Sequence, residues 1–221
     1  MRSRFDRQLE YLNREMTEMG FECESIILLS VKALLEGNIE YAKQAKEQGH
    51  IIDDMEHEIE SICLKLLLEQ QPVAKDLRMV SAALKMITDM ERIGDQAEDI
   101  SDIIIRLNGR TGTECHDIRR MAEEVSRMVI DSVEAYIHSD IQLSKSVERR
   151  DDVVDGCFLD IKKRLVKMLR ENTDDAEYAL NLLMIAKYFE RIGDHAVNIS
   201  EWVEFSVTGV HASQNDDGDR Q

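Results

Sequence analysis

Proline is almost missing from this chain. Pro72 is the only one in 221 residues, and the ten glycines and eleven aromatics (five Phe, five Tyr, one Trp) add few further turn or packing signals. An all-β or α/β protein needs frequent chain reversals rich in Gly, Pro and Asn, so this shortage excludes both classes. No run approaches the ~18 apolar residues of a membrane span. The N-terminal stretch MRSRFDRQLEYLNREMTEMG is charged throughout and has no signal-peptide core. Cys23, Cys63, Cys115 and Cys157 lie far apart, without a C-x-x-C pair or a histidine at zinc-site spacing. They read as buried free thiols of a reducing, cytoplasmic protein.

Positive charge is also in deficit. The chain carries 28 basic and 45 acidic residues, a formal net charge of -17. Such a surface repels phosphate backbones and anionic lipid, which argues against a nucleic-acid partner or direct membrane docking. What remains is Leu, Ile, Met, Ala, Glu, Lys and Arg, the composition of long helices. The fold class is all-α.

A repeat organises those helices. Glu-Arg-Ile-Gly-Asp occurs at 91–95 and again at 190–194, and Ala97, Ile100 and Ser101 recur as Ala196, Ile199 and Ser200. The stripe Met19, Cys23, Ile27, Val31 and Leu34 is answered by Met121, Val125, Val129, Val133 and Tyr136. The breaks Glu36-Gly37-Asn38 and His138-Ser139-Asp140 also correspond. The spacing predicts helices over 5–36, 38–70 and 73–108, then 114–138, 140–171 and 175–207. These form two pseudo-symmetric three-helix bundles, residues 1–108 and 109–208, followed by a disordered acidic tail over 209–221. The offset between halves is 102 at Asp53 and Asp155 but 99 at Glu91 and Glu190. The difference places three extra residues around Gln70-Gln71-Pro72, in a connection.

The third helix of each half carries the chemistry. Leu77, Val80, Leu84 and Ile87 form a stripe that Glu91 and Asp95 continue, with Asp99 at its edge. Ala179, Leu183 and Ala186 lead likewise into Glu190 and Asp194, with Asn198 at the edge. A packing face thus changes from hydrocarbon to acid midway along a helix. Two carboxylates about 5 Å apart repel by roughly 3 kcal/mol at an effective dielectric near 20. A proton, a basic partner or a bound cation relieves that repulsion. Gly94 and Gly193 each cost a helix about 1 kcal/mol relative to Ala, which suggests that space is needed beside the acids.

The second helices supply further oxygens. Asp151 and Asp155 form an i,i+4 pair; Asp53 stands where Asp155 does, but Gly49 stands where Asp151 does. Facing carboxylates from two helices build oxygen sites for Mg, Ca or Mn, and can hold Fe or Zn. Salt bridges from Arg92 and Arg191 are the competing remedy, and His195 is either a ligand or a packed side chain. A ferritin-like di-metal oxidase needs two E-x-x-H helices. The chain has one such spacing, Glu47 with His50, whose counterpart is Arg149 and Asp152.

These residues together resemble the PhoU family of phosphate-signalling proteins. The likeness rests on the two E-R-I-G-D helices, the D-x-x-V-D segment from Asp151 to Asp155, and Gln71-Pro72-Val73-Ala74-Lys75-Asp76-Leu77-Arg78, and it spans about residues 5–207. It implies two pseudo-symmetric three-helix bundles bearing multinuclear clusters of divalent or trivalent metal (Fe, Zn, Mn or Mg), and no catalysis. The implied metal residues are Glu91, Asp95, Glu190, Asp194, Asp151, Asp155 and Asp53. Gly49 departs from the acidic pattern, which predicts a smaller, weaker or absent first cluster. The implied role is a cytoplasmic adaptor between the ATPase subunit of the phosphate ABC transporter and a phosphate-sensing histidine kinase. Such an adaptor reaches the membrane only through partners, and the pattern allows a homodimer. An accessory of a low-affinity phosphate permease is the alternative within the broader group.

Overall fold

The computed structural model describes residues 2–70 and 73–210. Six helices make up nearly all of it: α1 (Arg2–Glu36), α2 (Ile39–Gln70), α3 (Ala74–Arg106), α4 (Cys115–His138), α5 (Ile141–Glu171) and α6 (Ala176–Thr208). No strand occurs among the described residues, and none of these helices is long and apolar enough to cross a membrane. Helices α1–α3 pack on one another, α4–α6 do the same, and the two sets join along α3–α6 and α1–α4. The fold is therefore the all-α pair of three-helix bundles that the repeat predicts. Its two halves share one continuous apolar core.

Helix ends fall where local chemistry puts them. Gly37 and Ser139, the aligned breaks, both adopt positive φ (64° and 52°), the left-handed conformation that stops a helix. Asp140 then accepts from the backbone N–H groups of Gln142 and Leu143, capping α5. Before α6 the Asn172 side chain accepts from Asp174 N–H, and one 3-10 turn over Thr173–Asp175 delays the expected helix start. Gln71 and Pro72, expected in the connection before α3, lie outside the described residues. Of the expected tail, Gly209 closes α6 with φ 78°, and residues 211–221 lie outside the described residues.

The α1 and α4 stripes are buried throughout, Met19 to Leu34 and Met121 to Tyr136. Cys23, Cys63 and Cys115 are buried free thiols; Cys157 is only half-buried. Leu77, expected at the head of the α3 stripe, is exposed, because it lies in the first turn of α3 at the end of the bundle. Buried serines tie the layers. Ser30 donates to the Ala97 carbonyl and meets Ser101 at 3.2 Å, while Ser144 donates to the Ser200 carbonyl at 2.8 Å.

Helices α3 and α6 run antiparallel across the junction of the halves. Arg78 of α3 donates to the Ser206 carbonyl of α6 at one end, and Asp89 meets His195 further along. This seam leaves the Glu91/Asp95 row facing α2 and the Glu190/Asp194 row facing α5.

Candidate metal centre

In the first half, Asp53 of α2 and Glu91 and Asp95 of α3 converge, each offering an oxygen within 4.8 Å of the others. Two oxygens on opposite sides of one Mg or Ca ion stand about 4–5 Å apart, so this separation suits a shared cation. The residues also carry the electrostatic mark of crowding. The Glu91 carboxyl is held above its ordinary range by burial first, then by Asp95, Asp53 and Glu56. Asp95 is raised by burial, Asp53 and Asp99. Gly94 explains the close approach: a Cβ there would lie 3.2 Å from Ile52 Cδ1, so its absence lets α2 settle against α3.

The second half assembles its acids differently. Asp151 has one oxygen, Oδ1, buried without a hydrogen-bond partner, and its pKa is pushed up to about 6 by burial, then Asp155, Asp194, Asp152 and Glu190. A Cβ on Gly193 would meet that oxygen at 3.4 Å and Val154 at 3.5 Å. Asp194 is raised by burial and Glu190, against Lys187 and His195. Glu190, however, accepts a salt bridge from Lys187 one turn earlier on α6. An ammonium thus neutralises part of this row, a partner that sequence reasoning missed although i,i+3 spacing signals it. Among the described residues, neither Arg92 nor Arg191 forms a salt bridge with any of these acids.

The two expected edge residues, Asn198 and Asp99, stand elsewhere, as does His195. Asn198 does not face the acidic row: its side-chain amide donates to Asp89 Oδ1 at 3.2 Å across the α3–α6 seam. His195 joins the same Asp89 oxygen at 2.8 Å, with both side chains largely buried. The seam turns this edge of α6 towards α3. Asp99 is exposed one turn beyond Asp95, and its charge helps to raise the Tyr188 phenol of α6 after burial has done so. Asp155 is exposed on the outer side of the Asp151 row. His50 lies exposed beside Asp53, 3.9 Å away, with no second E-x-x-H helix opposite it.

Sequence reasoning also missed Glu98. Its carboxylate occupies the space beside Gly49, where a Cβ would overlap Oε1 and lie 2.6 Å from Cδ. Its pKa is raised by burial first; Asp53 and Asp95 raise it further, while His50 and Lys46 lower it. The clue was the glycine itself: a gap in an acidic row invites a neighbour from the facing helix.

The raised carboxyls set the pH dependence of the metal-free protein. A folded pKa above the unfolded value means that the folded state binds protons more tightly. The associated stability is present below the unfolded pKa, about 3.8 for Asp151, and is lost as pH rises through about 6. In chelator the protein is expected to melt higher at pH 5.5 than at pH 7.5. Asp151 supplies at most about 0.8 kcal/mol of the difference, reduced further by solvent screening. Asp151→Asn should flatten that slope. A wild-type melting temperature that falls on acidification would overturn the assignment.

These features define a class: an internally duplicated helical bundle with a row of carboxylates facing a neighbouring helix in each half. A PhoU domain model matches residues 16–104 and again residues 118–203, so the chain belongs to the PhoU family. It is 36% identical over 217 residues to a phosphate-specific transport system accessory protein PhoU homolog of Clostridium acetobutylicum, across 96% of this chain and 98% of that one. The corresponding Pseudomonas aeruginosa homolog is 31% identical over 208 residues, covering 93% of this chain and 86% of the relative. The crystal structure of PhoU from Pseudomonas aeruginosa superimposes with a TM-score of 0.87 at 31% identity, over 93% of this chain and all of that one. The phosphate transport system regulatory protein PhoU from Streptococcus pneumoniae shares the fold, with a TM-score of 0.86 at 22% identity over 94% of this chain and 99% of that one.

Proposed function

We propose that this protein regulates phosphate uptake as a non-enzymatic accessory of a phosphate-specific transport system, and that it holds metal cations on its two acidic faces. The convergence of Asp53, Glu91 and Asp95 within 4.8 Å, free of any guanidinium bridge among the described residues, carries the cation reading. The names of its relatives carry the transport reading. Glu91, Asp95 and Asp53 would hold metal in the first half; Glu190, Asp194, Asp151 and Asp155 would do so in the second. A bound ion would neutralise each row and pin the second helix of each unit to the third. The units, residues 1–108 and 109–208, would each contribute one such face.

In this reading the protein works in the cytoplasm as an adaptor between the transporter's ATPase subunit and a phosphate-sensing histidine kinase, helping to restrain uptake when phosphate is plentiful. An acidic face with bound metal suits reversible docking, because the ion converts a repulsive row into one that other carboxylates or phosphates can approach. Affinity capture from detergent-solubilised membranes tests the proposal. The metal-loaded protein is expected to recover the ATPase subunit and the kinase, with recovery falling about tenfold after chelation, equivalent to about 1.4 kcal/mol of coupling. Equal recovery with and without chelator overturns the metal dependence. Recovery of a permease in place of the ATPase and kinase overturns the adaptor role.

A further inference from the structure

The outer face of α1 carries large apolar side chains in the open. Phe21 is 54% exposed and Leu28 44% exposed. With Ser25 and Lys32 they lie at three- and four-residue steps on one stripe of the helix. These four residues, with Glu24 and Leu29, line an open groove of about 430 Å³. Its walls are two successive sets at i, i+3, i+4 and i+7: Phe21, Glu24, Ser25 and Leu28, then Ser25, Leu28, Leu29 and Lys32. Four side chains so spaced form the socket into which a facing helix inserts a side chain. On its other side Phe21 borders a smaller groove against Ile130, Val133 and Ile137 of α4.

The bundle itself does not call for these residues. In the second half, Glu123 stands at the position of Phe21 and Arg127 at that of Ser25, and Glu123 accepts from Arg119 on the surface of α4. A three-helix unit of the same shape therefore folds with charge at that position, so packing within the chain does not select Phe21. Single exposed apolar residues are ordinary on protein surfaces. A Phe and a Leu framing two adjoining sockets make a face that a helix fits.

The charges along the stripe indicate which helix. Arg14, Glu18, Lys32 and Glu36 are all exposed, and their order is self-complementary. With a second α1 laid antiparallel about Ser25, Arg14 falls opposite Glu36, Glu18 opposite Lys32, and Phe21 opposite Leu29. Laid parallel, each charge would meet its own kind. These four charges sum to zero in a chain of net charge -17, so two copies can meet here without adding to their mutual repulsion. Within the chain Arg14 meets Glu15 and Lys32 lies over the Tyr41 ring; exposed contacts of this kind are weak and readily exchanged.

We infer that α1 is the docking surface for a second copy of this chain: two α1 helices pair antiparallel across a twofold axis at Ser25, each placing Phe21 in the socket formed by Ser25, Leu28, Leu29 and Lys32 of the other. The symmetry makes every contact twice. Apolar side chains supply the attraction, and the ion pairs fix direction and register. Neither a metal ion nor a transport partner takes part in this contact.

Sedimentation equilibrium of the full chain in chelator, over about 1–100 μM, tests the pairing; chelator removes any dimer bridged by metal. The wild type is expected to dimerise. Phe21→Glu, which installs the residue that the second half already carries, should weaken the dimer at least tenfold with helix content unchanged. Glu18→Lys and Lys32→Glu should each weaken it about fivefold, through two ion pairs reversed at once. The two changes together should return it to within about twofold of wild type, because the exchanged charges face each other again. A wild-type chain that stays monomeric over this range overturns the inference and leaves the groove to the helix of another protein. A dimer that Phe21→Glu leaves intact lies on a different face and overturns it too. Should Phe21→Glu fail to fold, the charge exchange decides: a double variant that stays as weak as the single ones overturns the antiparallel pairing.

Discussion

Replacing Asp95 and Asp194 together by alanine is expected to abolish metal uptake, measured by elemental analysis of protein purified without added metal. One acid is lost from the centre of each row, so neither half retains enough anionic oxygens to offset the desolvation of a cation. The same variant should behave oppositely once metal is removed. Asp95 and Asp194 are raised by burial and by neighbouring acids, so each destabilises the metal-free fold at neutral pH. In chelator the double variant should melt above the wild type; in saturating Mn2+ it should melt below. Acids serving only as salt-bridge partners give the opposite sign in chelator. Metal content unchanged from wild type would remove the site assignment outright.

The second large effect lies far from the acids. Gly37, in the α1–α2 turn, and Gly109, in the α3–α4 connection, have φ of 64° and 68° and face each other backbone to backbone. A Cβ on either would run into the carbonyl oxygen of the other, and neither backbone is the movable end of a side chain. Gly109→Val therefore combines left-handed strain in a β-branched residue with a rigid collision, at a cost of about 3 kcal/mol or more. For a chain of this size that lowers the melting temperature by about 10 °C. Gly156→Ala is the control: nothing lies within 4 Å of its Cβ, and mid-helix it should stabilise by up to ~1 kcal/mol. A Gly109→Val variant that melts with the wild type would show that the connection can move away from the α1–α2 turn.

Much of this was legible residue by residue. The Met19-to-Leu34 and Met121-to-Tyr136 stripes are buried as their spacing predicts, and Gly37 and Ser139 end helices at the aligned breaks. Asp53, Glu91 and Asp95 meet although 38 residues separate the first two, because the aligned Asp53 and Asp155 placed an acid opposite each E-R-I-G-D row. Other placements were out of reach. Asn198 lies at the edge of the acidic face on a helical wheel, yet it turns to Asp89, as does His195. A wheel orders the faces of one helix and is silent about which neighbour covers each boundary. Pairing within one helix changed the second row, where Lys187 claims Glu190.

The amino-acid sequence alone determined the helices, their duplication and the rows of acid on the third helix of each half, because 3.6-residue periodicity and helix-stopping residues act over a few turns. Tertiary structure decided which oxygens meet. The antiparallel crossing of α3 and α6 drew Asn198 and His195 away to Asp89, and the close approach of α2 to α3 lodged Glu98 in the space beside Gly49. Those outcomes depend on the relative position of whole helices, which is set by the fit of many side chains across a seam.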